Sequence, residues 1–111
     1  MQPAHPLSQV VFIHDYIQLV FQTATFTIYN SSSIGFNGNL VVQGTSGFAD
    51  QLVQQIGQHA QAINVPGEHA LSLLFEGGAA LKVNRRDEKN PGPEAFEALT
   101  DSGDIIMEMN E

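Results

Sequence analysis

The alternation of apolar and polar positions is clearest between Ala70 and Val83, where the chain reads A-L-S-L-L-F-E-G-G-A-A-L-K-V. On an extended strand Leu71, Leu73 and Phe75 point to one face, because successive side chains alternate. A two-residue loop at Gly77-Gly78 would set Phe75 opposite Ala80 and carry Lys82 to the Leu73 face, burying a charge. A three-residue loop, Glu76-Gly77-Gly78, instead sets Phe75 opposite Ala79, Leu73 opposite Leu81 and Leu71 opposite Val83. Ser72, Lys82 and Asn84 then share the other face. A slip of one residue turns every side chain over, so the wholly apolar face selects the three-residue loop. Such a loop is commonly a type I turn followed by a left-handed residue, the place Gly78 occupies.

Upstream, Gln9 to Tyr29 is rich in β-branched and aromatic residues, which suit a pleated, half-buried surface. Strands are predicted over Gln9–Ile13, Tyr16–Phe21 and Thr25–Tyr29, with His14-Asp15 either a turn or a bend in one long strand. Ile17, Leu19 and Phe21 share a face, which Phe26 and Ile28 join if the loop around Gln22–Thr25 holds an even number of residues. No Gly or Asn stands there for a tight primed turn, so a four-residue loop is expected. The opposite face mixes Val11, Ile13, Tyr16 and Val20 with Gln18, and calls for cover by a second layer or by another subunit.

Asn37-Gly38 predicts a tight turn joining Ile34-Gly35-Phe36 to Leu40-Val41-Val42. Ser46 is a suitable N-cap for a helix from Gly47 or Phe48 to Ile56, which Gly57 would end. Its apolar stripe is Phe48, Ala49, Leu52, Val53 and Ile56. A strand over His59–Val65 with Ile63 and Val65 inward, a Pro66-Gly67 turn and a charged loop over Asn84–Gly92 follow. Pro93 suits the first position of a short helix to Leu99, with Glu94 in its first turn. Asp101-Ser102-Gly103 turns the chain into a last strand, Asp104–Met109, with Ile105, Met107 and Met109 on one face.

The sum is an α+β fold in a single domain over residues 1–111, with residues 1–8 a flexible tail. It is a mainly antiparallel sheet of about six to eight short strands, with one main helix packed on it and a second short helix near the C-terminus. A chain of this length buries roughly two-thirds of its unfolded surface.

Composition narrows the function. No run approaches the ~20 apolar residues of a membrane helix, and Met1 to Ser8 lacks the basic and apolar regions of a secretory signal. The absence of cysteine excludes disulfides, thiolate metal sites and cysteine nucleophiles, and fits a reducing, cytoplasmic setting. Net charge is −8, and all four basic residues, Lys82, Arg85, Arg86 and Lys89, lie close together. Such a chain repels phosphate backbones, so neither nucleic acid nor membrane is an expected partner. A protein partner or a homodimer is expected instead.

Candidate chemistry is sparse. His5, His14, His59 and His69 are the acid/base candidates at neutral pH, and none forms an H-x-H or H-x-x-x-H pair. Gly44-Thr45-Ser46-Gly47 precedes a helix, but its spacing fits neither a nucleophile elbow nor a phosphate loop. Glu94, Glu97 and Asp101 would share a solvated helix face. Asp87 and Glu88, set among the basic residues, read as a self-compensated surface loop. Asn30-Ser31-Ser32 matches a glycosylation acceptor by chance. No catalytic, cofactor-binding or metal-ligating residue is assigned, and no cofactor is expected.

Asp15-Tyr16-Ile17-Gln18-Leu19 with Phe21, Ile56-Gly57, Phe75-Glu76-Gly77-Gly78 and Gly92-Pro93-Glu94-Ala95 together resemble a family of small uncharacterised bacterial domains, some of them similar to immunity proteins of toxin systems. The resemblance implies no catalytic activity. The expected function is therefore a non-catalytic protein-interaction module, possible alternatives being a structural homo-oligomer and a small-ligand binder.

Overall fold

The computed structural model describes residues 5–63, 69–87, 90, 92–100, 103 and 105–109. Two five-stranded antiparallel sheets enclose one core. The first has the strand order β1 (Leu7–Ile13), β2 (Tyr16–Phe21), β3 (Ala24–Ile28), β9 (Glu94–Thr100) and β10 (Ile105–Met109). The second runs β5 (Asn39–Val42), β4 (Ser32–Phe36), β8 (Ala80–Val83), β7 (Leu71–Phe75) and β6 (Ala60–Ile63). One helix, α1 (Phe48–Val53), packs against β1 and β4. The fold is thus mostly β. The expected mainly antiparallel pairing is present, but it is divided between two sheets. Among the described residues ten strands and one helix replace the expected six to eight strands and two helices of an α+β fold.

In the first sheet Ile17, Leu19, Phe21, Phe26 and Ile28 all turn inward and are buried, each burial contributing about 1.5–3 kcal/mol. His14-Asp15 is a turn, closed by Ile13 opposite Tyr16. The connection to β3 has two residues, Gln22-Thr23, with Phe21 opposite Ala24, and not the expected four. Only Asn37 among the described non-glycine residues has positive φ, so this turn is not of the primed type. Packing prevails over turn preference: Leu19 meets Phe26, Ile17 meets Ile28, and the Phe21 and Phe26 rings contact edge to face at 5.8 Å. Leu7 and Ser8 belong to β1 and not to a tail. Leu7 is buried, its N–H donates to Gln58 O, and its carbonyl accepts from Gly57 N–H.

The second sheet carries the hairpin register read from parity. Leu73 pairs with Leu81 and Leu71 with Val83, while Lys82 faces Ser72 and Ser33 on the outer surface. Asn37 (φ 52) and Gly38 (φ 80) form the tight turn between β4 and β5. In β6 the expected inward residue, Ile63, lies opposite outward Ser72, and Ala60 and Ala62 point inward against Phe75 and Leu73. Alanines fit there because the facing residues are large. Val65, Pro66 and Gly67 lie outside the described residues.

Helix α1 is shorter than expected and turned about its axis. Gly47 (φ 94), not Ser46, is its N-cap, and no side chain caps it. Phe48, Leu52 and Gln55 are buried, whereas Val53 and Ile56 of the expected stripe stand 47 % and 45 % exposed. Gly57 (φ 95) ends the helical segment as its left-handed conformation allows. The second helix, Pro93–Leu99, is replaced by strand β9. Glutamate and alanine there permit a helix, but β3 and β10 supply ladder partners on both sides, and tertiary pairing overrides local preference. The last strand is present as β10; Asp101, Ser102 and Asp104 lie outside the described residues.

Candidate interaction edge and polar cleft

The chain crosses between the sheets twice, side by side, at Tyr29–Ser31 and between β8 and β9. Asn30, 1 % exposed, ties the crossings together. Its Nδ2 donates to Asn84 O at 2.9 Å, its Oδ1 accepts from Asn90 Nδ2 at 2.8 Å, and its N–H donates to Ala95 O at 3.1 Å. Ser31 N–H donates to Asp87 Oδ2 at 2.7 Å. A side chain so buried and bonded is no acceptor for glycosylation in the folded protein.

Beside this junction lies a cleft of about 270 Å³ lined by His14, Asp15, Tyr29, Gln43, Asp87 and Asn90 among others. Of the four histidines it gathers only His14, together with two carboxylates. The His14 side chain is 96 % exposed and its Nε2 stands 3.7 Å from Asp15 Oδ1, too long for a hydrogen bond. The other groups hold the crossing. Asp87 receives Ser31 N–H, Gln43 Oε1 receives Ser32 N–H and Oγ–H, and Asn90 Nδ2 also donates to Glu94 O. No nucleophile–base pair is assembled here.

The remaining candidates are dispersed. His59 and His69 sit at opposite ends of the β6–β7 pair, His59 N–H on Glu76 Oε1 at 3.2 Å and His69 O accepting from Arg85 at 3.0 Å. His5 and Ser46 are exposed. Glu94 and Glu97 are half-buried on a strand and not on a helix face. Burial, and then Glu97 and Glu94, push the Tyr29 phenol above its ordinary pKa. Lys82 lies on β8 opposite Ser33; Glu88, Lys89 and Asp101 are outside the described residues. Among the described residues no three His, Asp or Glu side chains are placed to hold a metal, and no helix is long and apolar enough to cross a membrane.

The first sheet ends at β1 in an open edge. In an antiparallel pair, hydrogen-bonded and non-hydrogen-bonded residues alternate. The two-residue turn at His14-Asp15 makes Ile13–Tyr16 the first bonded pair, so Gln9, Val11 and Ile13 bond to β2. Val10 and Phe12, opposite Leu19 and Ile17, therefore aim their N–H and C=O groups away from the sheet. No described residue pairs with them. Segment 57–58 covers this edge at Leu7 and leaves Gln9 to Ile13 open.

Proteins usually blunt such an edge with lysine, proline, charge or brevity. The open run of β1 has none of these, and no charged residue stands between Asp15 and Asp50. Phe12 and Ile13 are each 46 % exposed. The adjoining outer face carries half-buried Val11, Tyr16 and Val20 and exposed Leu99, with the Tyr16 and Tyr29 rings 5.9 Å apart. The second sheet covers the opposite face, so of the two covers expected for this one, the second layer is not found among the described residues. Sequence reasoning found the half-apolar face by parity but not the edge, because strand order is invisible in local pattern. No family model matches this chain, nor does any curated protein or solved structure.

Proposed function

We propose that this chain is a non-catalytic protein-interaction module that takes an extended strand of its partner on to the open edge of β1. The observation that carries this reading is the backbone of Val10 and Phe12, without a pairing partner among the described residues, beside the exposed Phe12 and Ile13 side chains. Strand addition supplies the missing main-chain hydrogen bonds, and alternate side chains of the incoming strand contribute specificity. Phe12 and Ile13 lie on opposite faces, so both sides of the added strand meet apolar surface. The resemblance to immunity-like domains is in keeping with this class of role.

Affinity capture with the tagged protein tests it, using wild type and Phe12→Lys at low and high salt. Capture that survives high salt and is lost in Phe12→Lys is the expected result. Capture insensitive to Phe12→Lys, or abolished by salt alone, places the contact on the acidic surface and refutes the edge.

A further inference from the structure

The geometry points to a second copy of this chain as the occupant of the β1 edge, in an isologous antiparallel pairing centred on Val11; this rests on the strand-addition reading above. The open groups lie symmetrically about Val11, one residue to either side. A two-fold axis there sets Val10 of one copy opposite Phe12 of the other, and each N–H meets a C=O in both directions. Val11 then faces its own copy as the intervening non-hydrogen-bonded pair, and Gln9 faces Ile13. The result is a ten-stranded sheet continuous across the axis, an isologous interface in which one patch complements itself.

The ends of the run fit this register. Pairing extends from Gln9 to Ile13 and stops at the His14-Asp15 turn on one side and at the Gln58-covered Leu7 on the other. Charge permits pairing at this edge. A chain of net charge −8 resists self-association wherever acidic groups would oppose one another. Across this axis the two copies of Asp15 lie at opposite ends of the interface, and no other charged residue lies within the paired run or its β2 neighbour. The other outer strand of the same sheet, β10, includes Glu108 in its sequence, whereas the Gln9–Ile13 run holds no charged residue. Pairing also joins the Val11 and Ile13 side chains of the two copies on the outer face.

The chain has no cysteine, so single substitutions report the register. Wild type is expected to sediment at twice its 12.0 kDa mass at micromolar concentration, and Phe12→Lys at the single mass. Val11→Cys is expected to form a reducible dimer on mild oxidation, since non-hydrogen-bonded pairs bring Cα atoms to about 4.5 Å, within disulfide reach. Gln9→Cys and Ile13→Cys are expected to cross-link with each other when mixed, and neither with itself. A wild-type monomer at high micromolar concentration, or Val11→Cys cross-linking no faster than Ser46→Cys on the exposed turn, overturns the second-copy assignment. A monomer that still captures a partner through Phe12 overturns it while leaving the strand-addition reading intact. A dimer indifferent to Phe12→Lys, with Val11→Cys uncross-linked, overturns both.

Discussion

Leu73 stands directly opposite Leu81 across the β7–β8 hairpin, both buried, while Lys82, one residue further, faces Ser72 on the outer surface. The three-residue loop creates this register: Phe75 N–H donates to Ala79 O at 2.8 Å and Gly78 N–H to Phe75 O at 2.9 Å, with Gly78 at φ 106. A β-branched side chain at that φ is strained by about 1–3 kcal/mol. Gly77 is not at positive φ, and an added Cβ there meets only the flexible Gln58 side chain at 3.0 Å. Urea melts should therefore show Gly78→Val losing clearly more stability than Gly77→Ala. Equal losses would contradict the loop geometry.

Asn30 is the polar residue on which the two sheet-to-sheet crossings converge. Truncation in Asn30→Ala leaves Asn84 O and Asn90 Nδ2 short of partners, at a cost of about 1–3 kcal/mol. Asn30→Asp should fare no better, because it sets a carboxylate oxygen against the Asn84 carbonyl. Chemical denaturation of the three proteins measures this.

Helix α1 and the turn before it make opposite forecasts for two positions. Leu52→Ala removes a wholly buried side chain and should cost about 2–5 kcal/mol. Ser46→Ala should change stability by no more than about 0.5 kcal/mol, since Gly47 and not Ser46 caps the helix. A cap-sized loss at Ser46, seen in thermal unfolding, would count against the helix start described.

Alkaline stability should report Tyr29. Its phenol is held above its ordinary value, about 10, by burial and then by Glu97 and Glu94. The folded state therefore binds this proton more tightly than the unfolded chain does. The associated stability is fully present below the unfolded pKa and is lost as pH rises through the folded one. Tyr29→Phe should flatten the decline of the urea midpoint above a pH of about 10, with little effect at neutral pH.

Much of the local structure is legible in the sequence. Period-two alternation around Glu76-Gly77-Gly78 selected one register because the alternative buried Lys82. Asn37-Gly38 and Gly57 announced a turn and a helix stop through the positive φ they tolerate. Signals of this kind failed where packing opposed them. Glu94 to Leu99 carries helix-permitting residues yet lies flat between β3 and β10. Gln22-Thr23 lacks turn residues yet closes a two-residue loop because Leu19 must meet Phe26. Ala60 and Ala62, not Ile63, took the inward positions because the β6–β7 register sets them opposite Phe75 and Leu73, and Ile63 opposite Ser72.

By itself the sequence determined which short segments extend, where the sharpest turns fall, and that one face of the first hairpins is only half apolar. These depend on sterics and solvation among residues a few positions apart. Tertiary structure alone decided that β3 lies beside β9 and β4 beside β8, that Asn30 joins segments over fifty positions away, and that β1 ends its sheet with Val10 and Phe12 unpaired among the described residues. Those outcomes depend on which surfaces find each other across the folded chain, and a backbone group is open or satisfied only once its neighbours in space are known.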